Sequence, residues 1–297
     1  KDGDKNELLS MNNYSQIRNA GLIAGILNKS DAIIFLDDDE LVQDRDFLKK
    51  IDQDLNKKVK KEKVRFITGM CPEGETGTYI RQRKYSPWMT YWDKIKFQNE
   101  TLIKVIEGNP HLKVTPLTHG GLCIIHKDVF TQIPFDPKVQ RGEDMDYNLN
   151  CRMFGYKCYM DNRLEIRHCP PPRVHQAWRG FREDMIRFFM QRNKIERQDK
   201  KLGTKTIIKA SDFDPYPGNF LKDNLEDMIF KSQTTLAIEY LYKNDTISAQ
   251  NTLENIKISR DLLSSNINYF EKYIEIVEGW RKLTKKLNST EVKLRKI

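Results

Sequence analysis

The sequence predicts an α/β domain followed by a helical C-terminal region, and three observations carry that expectation. The apolar run Ala32-Ile33-Ile34-Phe35-Leu36 is short, β-branched and aromatic, and ends in three aspartates, Asp37, Asp38 and Asp39. Such a run between polar flanks reads as a buried parallel strand. Further short apolar runs alternate with amphipathic stretches as far as about residue 196. Residues 222–288 then keep helical periodicity almost throughout, with breaks at Asn244-Asp245 and Ser264-Ser265.

The elements follow in order. Residues 10–28 form an amphipathic helix with Ile17, Leu22, Ile23, Ile26 and Leu27 as apolar positions, and the residues before it read as disordered. The strand to Leu36 comes next, then a helix from Asp44 to Leu55 that ends in the basic run Lys57-Lys58-Val59-Lys60-Lys61. Cations at a helix C-terminus complement its dipole. Val64–Gly69 is a second strand, and residues 71–86, rich in Gly, Pro and charge, are a loop. Residues 87–107 are helical and carry Trp88, Tyr91 and Trp92, a stripe whose spacing suits core packing. Val114–Thr118 leads through Gly120-Gly121 into the strand Leu122–Ile125, and a short helix runs from Lys127 to Gln132. Glu143–Phe154 is a helix stopped by Gly155. Tyr156–Met160 and Glu165–His168 are strands, and Cys169-Pro170-Pro171-Pro172 is a rigid break. A basic amphipathic helix from Trp178 to Ile195 and a linker over 199–221 precede the C-terminal helices.

Composition narrows the function classes. Hydrophobic residues are 38% and charged residues 31% of 297, and no stretch reaches the roughly 20 apolar residues of a membrane-spanning helix. The five cysteines are odd in number and lack metal-site spacing, so reduced cytoplasmic thiols are expected, with Cys151 and Cys158 as packing residues. The net charge of +9 is compatible with phosphorylated substrates or a peripheral contact with an anionic membrane surface. No aromatic-interleaved basic motif accompanies it, which argues against nucleic acid.

The chemistry concentrates in four ordered segments. They are Arg18-Asn19-Ala20-Gly21, Phe35-Leu36-Asp37-Asp38-Asp39, Thr118-His119-Gly120-Gly121-Leu122, and Arg141-Gly142-Glu143-Asp144-Met145-Asp146 followed by Gly155-Tyr156-Lys157 and Arg167-His168. Clustered carboxylates at a strand end repel one another and are costly to ionise without a cation. Hard divalent ions with phosphate oxygens solve that problem. Asp37 and Asp39 flank one position and face the same side of an extended segment. Gly120 and Gly121 permit close backbone approach to a ligand or a tight turn. Glu143 and Asp144 open a helix, where acidic residues also complement the dipole.

This order and spacing over about residues 12–196 resembles the GT-A nucleotide-sugar glycosyltransferases, most closely the family-2-like group. The resemblance implies a GT-A fold, a Rossmann-like mixed sheet flanked by helices, over 1–210, with a helical appendage over 211–297. It implies an enzyme of the hexosyltransferase type (EC 2.4), moving a sugar from a nucleoside diphosphate to a hydroxyl acceptor. That acceptor is a carbohydrate, a small polar molecule or a protein. By resemblance Asp37 and Asp39 are the D-x-D pair holding Mn²⁺ or Mg²⁺, with His168 as a third ligand. Arg18, Asp37, Asp38, Gly120, Gly121 and Arg173 contact the donor. Asp144 is the catalytic base if configuration inverts, and Glu143 binds a substrate hydroxyl. Arg179 and Arg182 join Arg173 as cations able to pair with a diphosphate or an anionic acceptor, although a solvated helix face explains them as well. His119 lines the sugar pocket, whereas His126 reads as a surface residue.

GT-A domains place nucleobase-binding strands ahead of the D-x-D segment, but only 36 residues precede Asp37 here. The expectation is that those strands lie outside this chain or come from another one. The C-terminal helices are expected to cover the acceptor side or to mediate homo-oligomer or partner contacts. Two alternatives use the same carboxylates: a two-metal nucleotidyl or phosphoryl transferase, and a catalytically inactive sugar-nucleotide-binding scaffold.

Overall fold

A computed structural model describes residues 8–9, 13–72, 79–169 and 176–289. Arg173 and His175, and the Pro170–Pro172 break, lie outside the described residues. The chain begins with α1 (Tyr14–Leu27), β1 (Ala32–Phe35), β2 (Glu40–Leu41) and α2 (Phe47–Asp54). A small hairpin, β3 (Lys58–Val59) and β4 (Glu62–Lys63), leads to β5 (Phe66–Met70). After a 3₁₀ turn at Pro87–Thr90 come α3 (Lys94–Ile106), β6 (Leu112–Val114), β7 (Cys123–His126) and α4 (Lys127–Phe130). Then follow α5 (Glu143–Met153), β8 (Cys158–Glu165), β9 (Arg167–His168) and the long α6 (Ala177–Arg197). Three 3₁₀ turns between residues 200 and 220 connect to α7 (Leu225–Tyr242), α8 (Thr246–Ser264) and α9 (Tyr269–Asn288).

The five-stranded sheet has the order β1-β7-β5-β8-β6. Only β5 and β8 run parallel, and β7 is antiparallel to both β1 and β5. The fold is therefore a mixed sheet flanked by helices with a helical C-terminal region, as the sequence predicts. The first strand is a correction: β1 is an antiparallel edge strand whose residues are half-buried, not a buried parallel one. One face of it is closed by α1, where Gly21 and Gly25 admit the Phe35 and Ile33 side chains at distances that a Cβ would forbid.

Helix α1 is tied down by polar groups as well. Asn19 is fully buried; its Nδ2 donates to the Phe135 carbonyl at 3.0 Å and its Oδ1 accepts from the Phe135 amide at 2.8 Å. Ser15 Oγ donates to the Val139 carbonyl at 2.6 Å. The neighbouring Arg18 is thereby aimed at the end of β1.

Three further expectations change. The basic run after α2 is the β3–β4 hairpin, with Asn56 and Lys60 in the left-handed region (φ 76° and 57°). His126 is buried at 5% exposure, and its Nδ1 accepts from the Asp128 amide at the start of α4. The 199–221 segment is not a bare linker, because Phe213, Tyr216, Phe220 and Leu221 are buried in the main core. Trp92 packs between Phe181, Phe188 and Phe220, with centroids at 4.2, 5.7 and 4.5 Å.

The same core continues into the C-terminal helices through Phe270, Tyr273, Ile274, Val277 and Trp280. On α9, Tyr273 Oη donates to the Pro134 carbonyl and Trp280 Nε1 to the Phe130 carbonyl, each at 2.8 Å. Ile238 and Leu241 on α7, by contrast, are exposed. Among the described residues no helix is long and apolar enough to cross a membrane.

A buried charge cluster joins α5, α6 and the 134–139 loop. Lys194 Nζ lies 2.6 Å from Asp136 and 2.9 Å from Asp146, and all three side chains are almost completely buried. Replacing the cation would leave two buried carboxylates without their partner. Lys194→Met should lose on the order of 3–5 kcal/mol of stability in urea denaturation at neutral pH, with part of the loss recovered in Asp136→Asn/Lys194→Met.

Candidate active site

A cavity of about 480 Å³ opens at the ends of β1 and β5, under the turn at 117–121 and the starts of α5 and α6. Asp37, Asp39, Gly120, Gly121, Glu143, Asp144, Arg18 and His168 all line it. Asp38 sits in the intervening turn, exposed, and is not part of that lining.

Local structure explains how these residues meet. Asp37 ends the β1 segment, and its carboxylate accepts from Arg18 Nη2 at 2.6 Å. The same guanidinium reaches Glu143 at 3.7 Å. The short β2–β9 ladder pairs Glu40 with His168, and the Cys169 amide donates to the Asp39 carbonyl at 2.8 Å. That pairing brings His168 Nε2 to 3.4 Å from Asp39 Oδ2. Asp37, Asp39 and His168 offer oxygen and nitrogen donors of the kinds Mg²⁺ or Mn²⁺ accept, but their three ligand atoms do not all gather within 4.8 Å of one another.

Gly120 donates its amide to Asp144 Oδ2 at 3.0 Å, and Met145 donates its own to Oδ1 at 2.7 Å. Asp144 is thus held by two backbone donors in the lining of the cavity. At Gly121 a Cβ would overlap the Glu40 carboxylate, so the missing side chain is what lets that carboxylate enter. Gly142 precedes the pair with φ 71°, and a Cβ there would collide with the Arg187 guanidinium. A left-handed residue packed this closely needs glycine.

Electrostatics follows from crowding. Burial and the adjacent Asp144 push the Glu143 carboxyl up to about 7, against the pull of Arg18. Burial also raises Asp144, opposed by the Met145 amide, Arg187 and Arg18. Glu40 is raised by burial and by Asp37 and Asp39. His119, buried beside Arg81 and His168, is lowered to about 4 and is neutral at physiological pH.

Several lining residues were not singled out by the sequence. Glu40 directly follows the three aspartates, so its signal was the fourth consecutive carboxylate. Lys94, Asp184 and Arg187 form a chain of ion pairs, with Arg187 Nη2 at 2.9 Å from both Asp184 and the Tyr216 hydroxyl. Glu183, Asp184 and Arg187 recur at helical spacing with Gly180, which puts them on one face of α6. Arg179 also lines the cavity, whereas Arg182 turns away to Asn255 and Glu254 on α8. Trp88 and Trp92 are core residues at 5% and 3% exposure.

Among the described residues, the group of three ligand atoms that does lie within 4.8 Å of one another is elsewhere, at Asp54, His111 and Asp161. Arg163 already pairs with both carboxylates and Lys57 with Asp54, so ion pairs satisfy this cluster.

No protein-family profile matches the chain, and no curated protein matches it. Among solved structures it is similar to a mannosyltransferase from Pyrobaculum calidifontis, determined in complex with GDP-mannose and Mn²⁺. The identity is 14% and the TM-score 0.37, with 89% of this chain covered. The chain spans 63% of that protein's length.

A carboxyl raised on folding stabilises the folded state below its unfolded pKa, and that contribution fades as pH climbs to the folded value. For Glu143 the fading window runs from about 4.3 to about 7. Glu143→Gln, assayed in EDTA, should therefore melt higher than wild type at pH 8 and show no such advantage near pH 4.

Proposed function

We propose that this chain is a metal-dependent glycosyltransferase that moves a sugar from a nucleoside-diphosphate donor to a hydroxyl acceptor. The observation that carries the reading is the carboxylate-rich wall, in which Asp37, Asp39, Glu40, Glu143 and Asp144 stand with Arg18 as the cation among them. Carboxylates so placed call for a divalent ion, and such an ion, when bound, supplies charge neutralisation to a departing diphosphate. Asp37, Asp39 and His168 are the residues that would hold it.

Arg18 fixes the Asp37 carboxylate and contributes positive charge where phosphate oxygens would lie. Gly120 and Gly121 let the donor approach the backbone, with His119 beside them as a neutral imidazole. In an inverting reaction Asp144 accepts the proton of the acceptor hydroxyl as that oxygen bonds to the anomeric carbon. The bond from that carbon to the diphosphate oxygen breaks at the same time, and the nucleoside diphosphate leaves with its electron pair. Burial raises the Asp144 pKa, which makes its carboxylate a stronger base than an exposed one. Glu143, buried beside it, is placed to bond a substrate hydroxyl. In the same reading residues 1–210 are the catalytic unit and 211–297 brace it from the side of α1 and α6.

Nucleoside diphosphates screened with and without Mn²⁺ should raise the melting temperature for one base, and only with metal. Asp37→Asn/Asp39→Asn should abolish that shift; a shift that survives both substitutions would remove the metal-site assignment. Asp144→Asn should keep the shift and lower turnover of donor by roughly 10²–10⁴-fold, the range for a positioned proton acceptor.

A further inference from the structure

The charge of the cavity is divided between its walls. The carboxylate-rich wall comes from the β1 end, β2 and the start of α5, as described above. The remaining lining comes from residue 81, the start of α3, residue 141 and the first turns of α6. Among the described residues it carries Arg81, Lys94, Arg141, Arg179 and Arg187 against two carboxylates, Glu183 and Asp184. Lys94 and Arg187 share Asp184. Arg141 and Arg179 share Glu183, at 2.6 and 3.6 Å. Among the described residues each of these two groups of ion pairs has one more cation than carboxylate.

Arg141 and Arg179 are both accessible, with side chains 45% and 66% exposed. They flank Gly180, where a Cβ would meet only Arg141 Nη1, at 3.7 Å, so the floor between them is open. Helix α6 begins at Ala177, and its N-cap residue Gln176 makes no side-chain capping bond. The Ala177 and Trp178 amides donate to the Tyr240 hydroxyl, so at this end of the helix it is the Arg179 side chain that faces the cavity. A groove of about 790 Å³ continues from this point, sharing Arg81, Lys94, Arg141 and Gly180 with the cavity and adding Arg83 and Lys96 together with Asp93 and Glu100.

We propose that this wall binds an oxyanion, a phosphate or carboxylate group carried by the acceptor close to the hydroxyl that is glycosylated, with Arg141 and Arg179 as the binding pair. The word acceptor rests on the glycosyltransferase reading; the anion site does not. Two guanidinium groups sharing one carboxylate have unused donors in a fork geometry that fits either oxyanion. The carboxylate-rich wall repels the same group, so an anionic acceptor is oriented with its charged end along α6. An uncharged sugar would leave the surplus unanswered.

The test uses the whole chain in EDTA, so that the metal-dependent donor site takes no part. Inorganic phosphate, glucuronate and glucose are titrated separately by calorimetry against wild type, Arg179→Gln, Arg141→Gln/Arg179→Gln and Asp37→Asn/Asp39→Asn. The expected result is that an anion binds and glucose does not. That binding should weaken at least tenfold in Arg141→Gln/Arg179→Gln and persist in the aspartate variant. Tighter binding of phosphate assigns a phosphorylated acceptor, and tighter binding of glucuronate a uronate. Arg179→Gln, at an exposed side chain, carries the test if the double variant does not fold. No anion binding, equal binding of glucose, or binding unaffected by the arginine substitutions would overturn the proposal. Anion binding without any Mn²⁺-dependent nucleotide shift would instead overturn the glycosyltransferase reading and leave the anion site standing.

Discussion

One guanidinium holds the two halves of the site together. Arg18 is nearly buried on α1, yet it touches Asp37 at the end of β1 and Glu143 at the start of α5. The two carboxylates come from segments more than 100 residues apart and would repel each other without it. Its own position depends on Asn19, which fastens α1 to the backbone of Phe135. The R-N pair thus divides two tasks between adjacent residues: one clamps the helix to the loop, the other reaches the site. The rest of the acidic wall is arranged around that bond, with Glu40 admitted by Gly121 and Asp39 set against His168 by a two-residue ladder.

Much of this arrangement was legible in the chain. The segments around Arg18, Asp37–Asp39, Gly120-Gly121 and Glu143-Asp144 do converge on one cavity. The helix and strand order is also close to the periodicity, because amphipathic spacing is a local signal. The errors have physical causes. The run 32–35 shows that a strand forms, but apolar content does not reveal the direction of its neighbour, which is set by β7 far along the chain. The hairpin after α2 was hidden because its positive-φ residues are Asn56 and Lys60, not glycine. The 199–221 segment read as a linker from its prolines and glycine, while its aromatic residues fill the core. His126, flanked by Lys127 and Asp128, looked like surface and instead caps a helix. The basic wall was the least legible part. A charged helix face has the same spacing whether it meets solvent or a cavity, and only tertiary packing tells which face of α6 turns inward.

The two faces of α6 belong to different chemistries. One carries Gly180, Glu183, Asp184 and Arg187 toward the cavity. The other buries Phe181 and Phe188, the latter stacked on Phe220 at 4.8 Å with the rings nearly parallel. Tyr216, in the segment that supplies Phe220, also bonds to Arg187, so the connector between the sheet domain and α7 touches both the aromatic core and the charged lining.

That aromatic packing bears on how freely the charges of the cavity can move. A helix wedged by Trp92, Phe181, Phe188 and Phe220 has little room to shift, and Asp184 and Arg187 are held in a chain of fixed partners. Their dipoles are oriented before any ligand enters. In water, such orientation would have to be assembled anew around each developing charge, and that reorganisation is a large part of a reaction barrier. Here the loss of conformational freedom falls at the folding step, so on the transferase reading proposed above a substrate would meet groups whose orientation is already set.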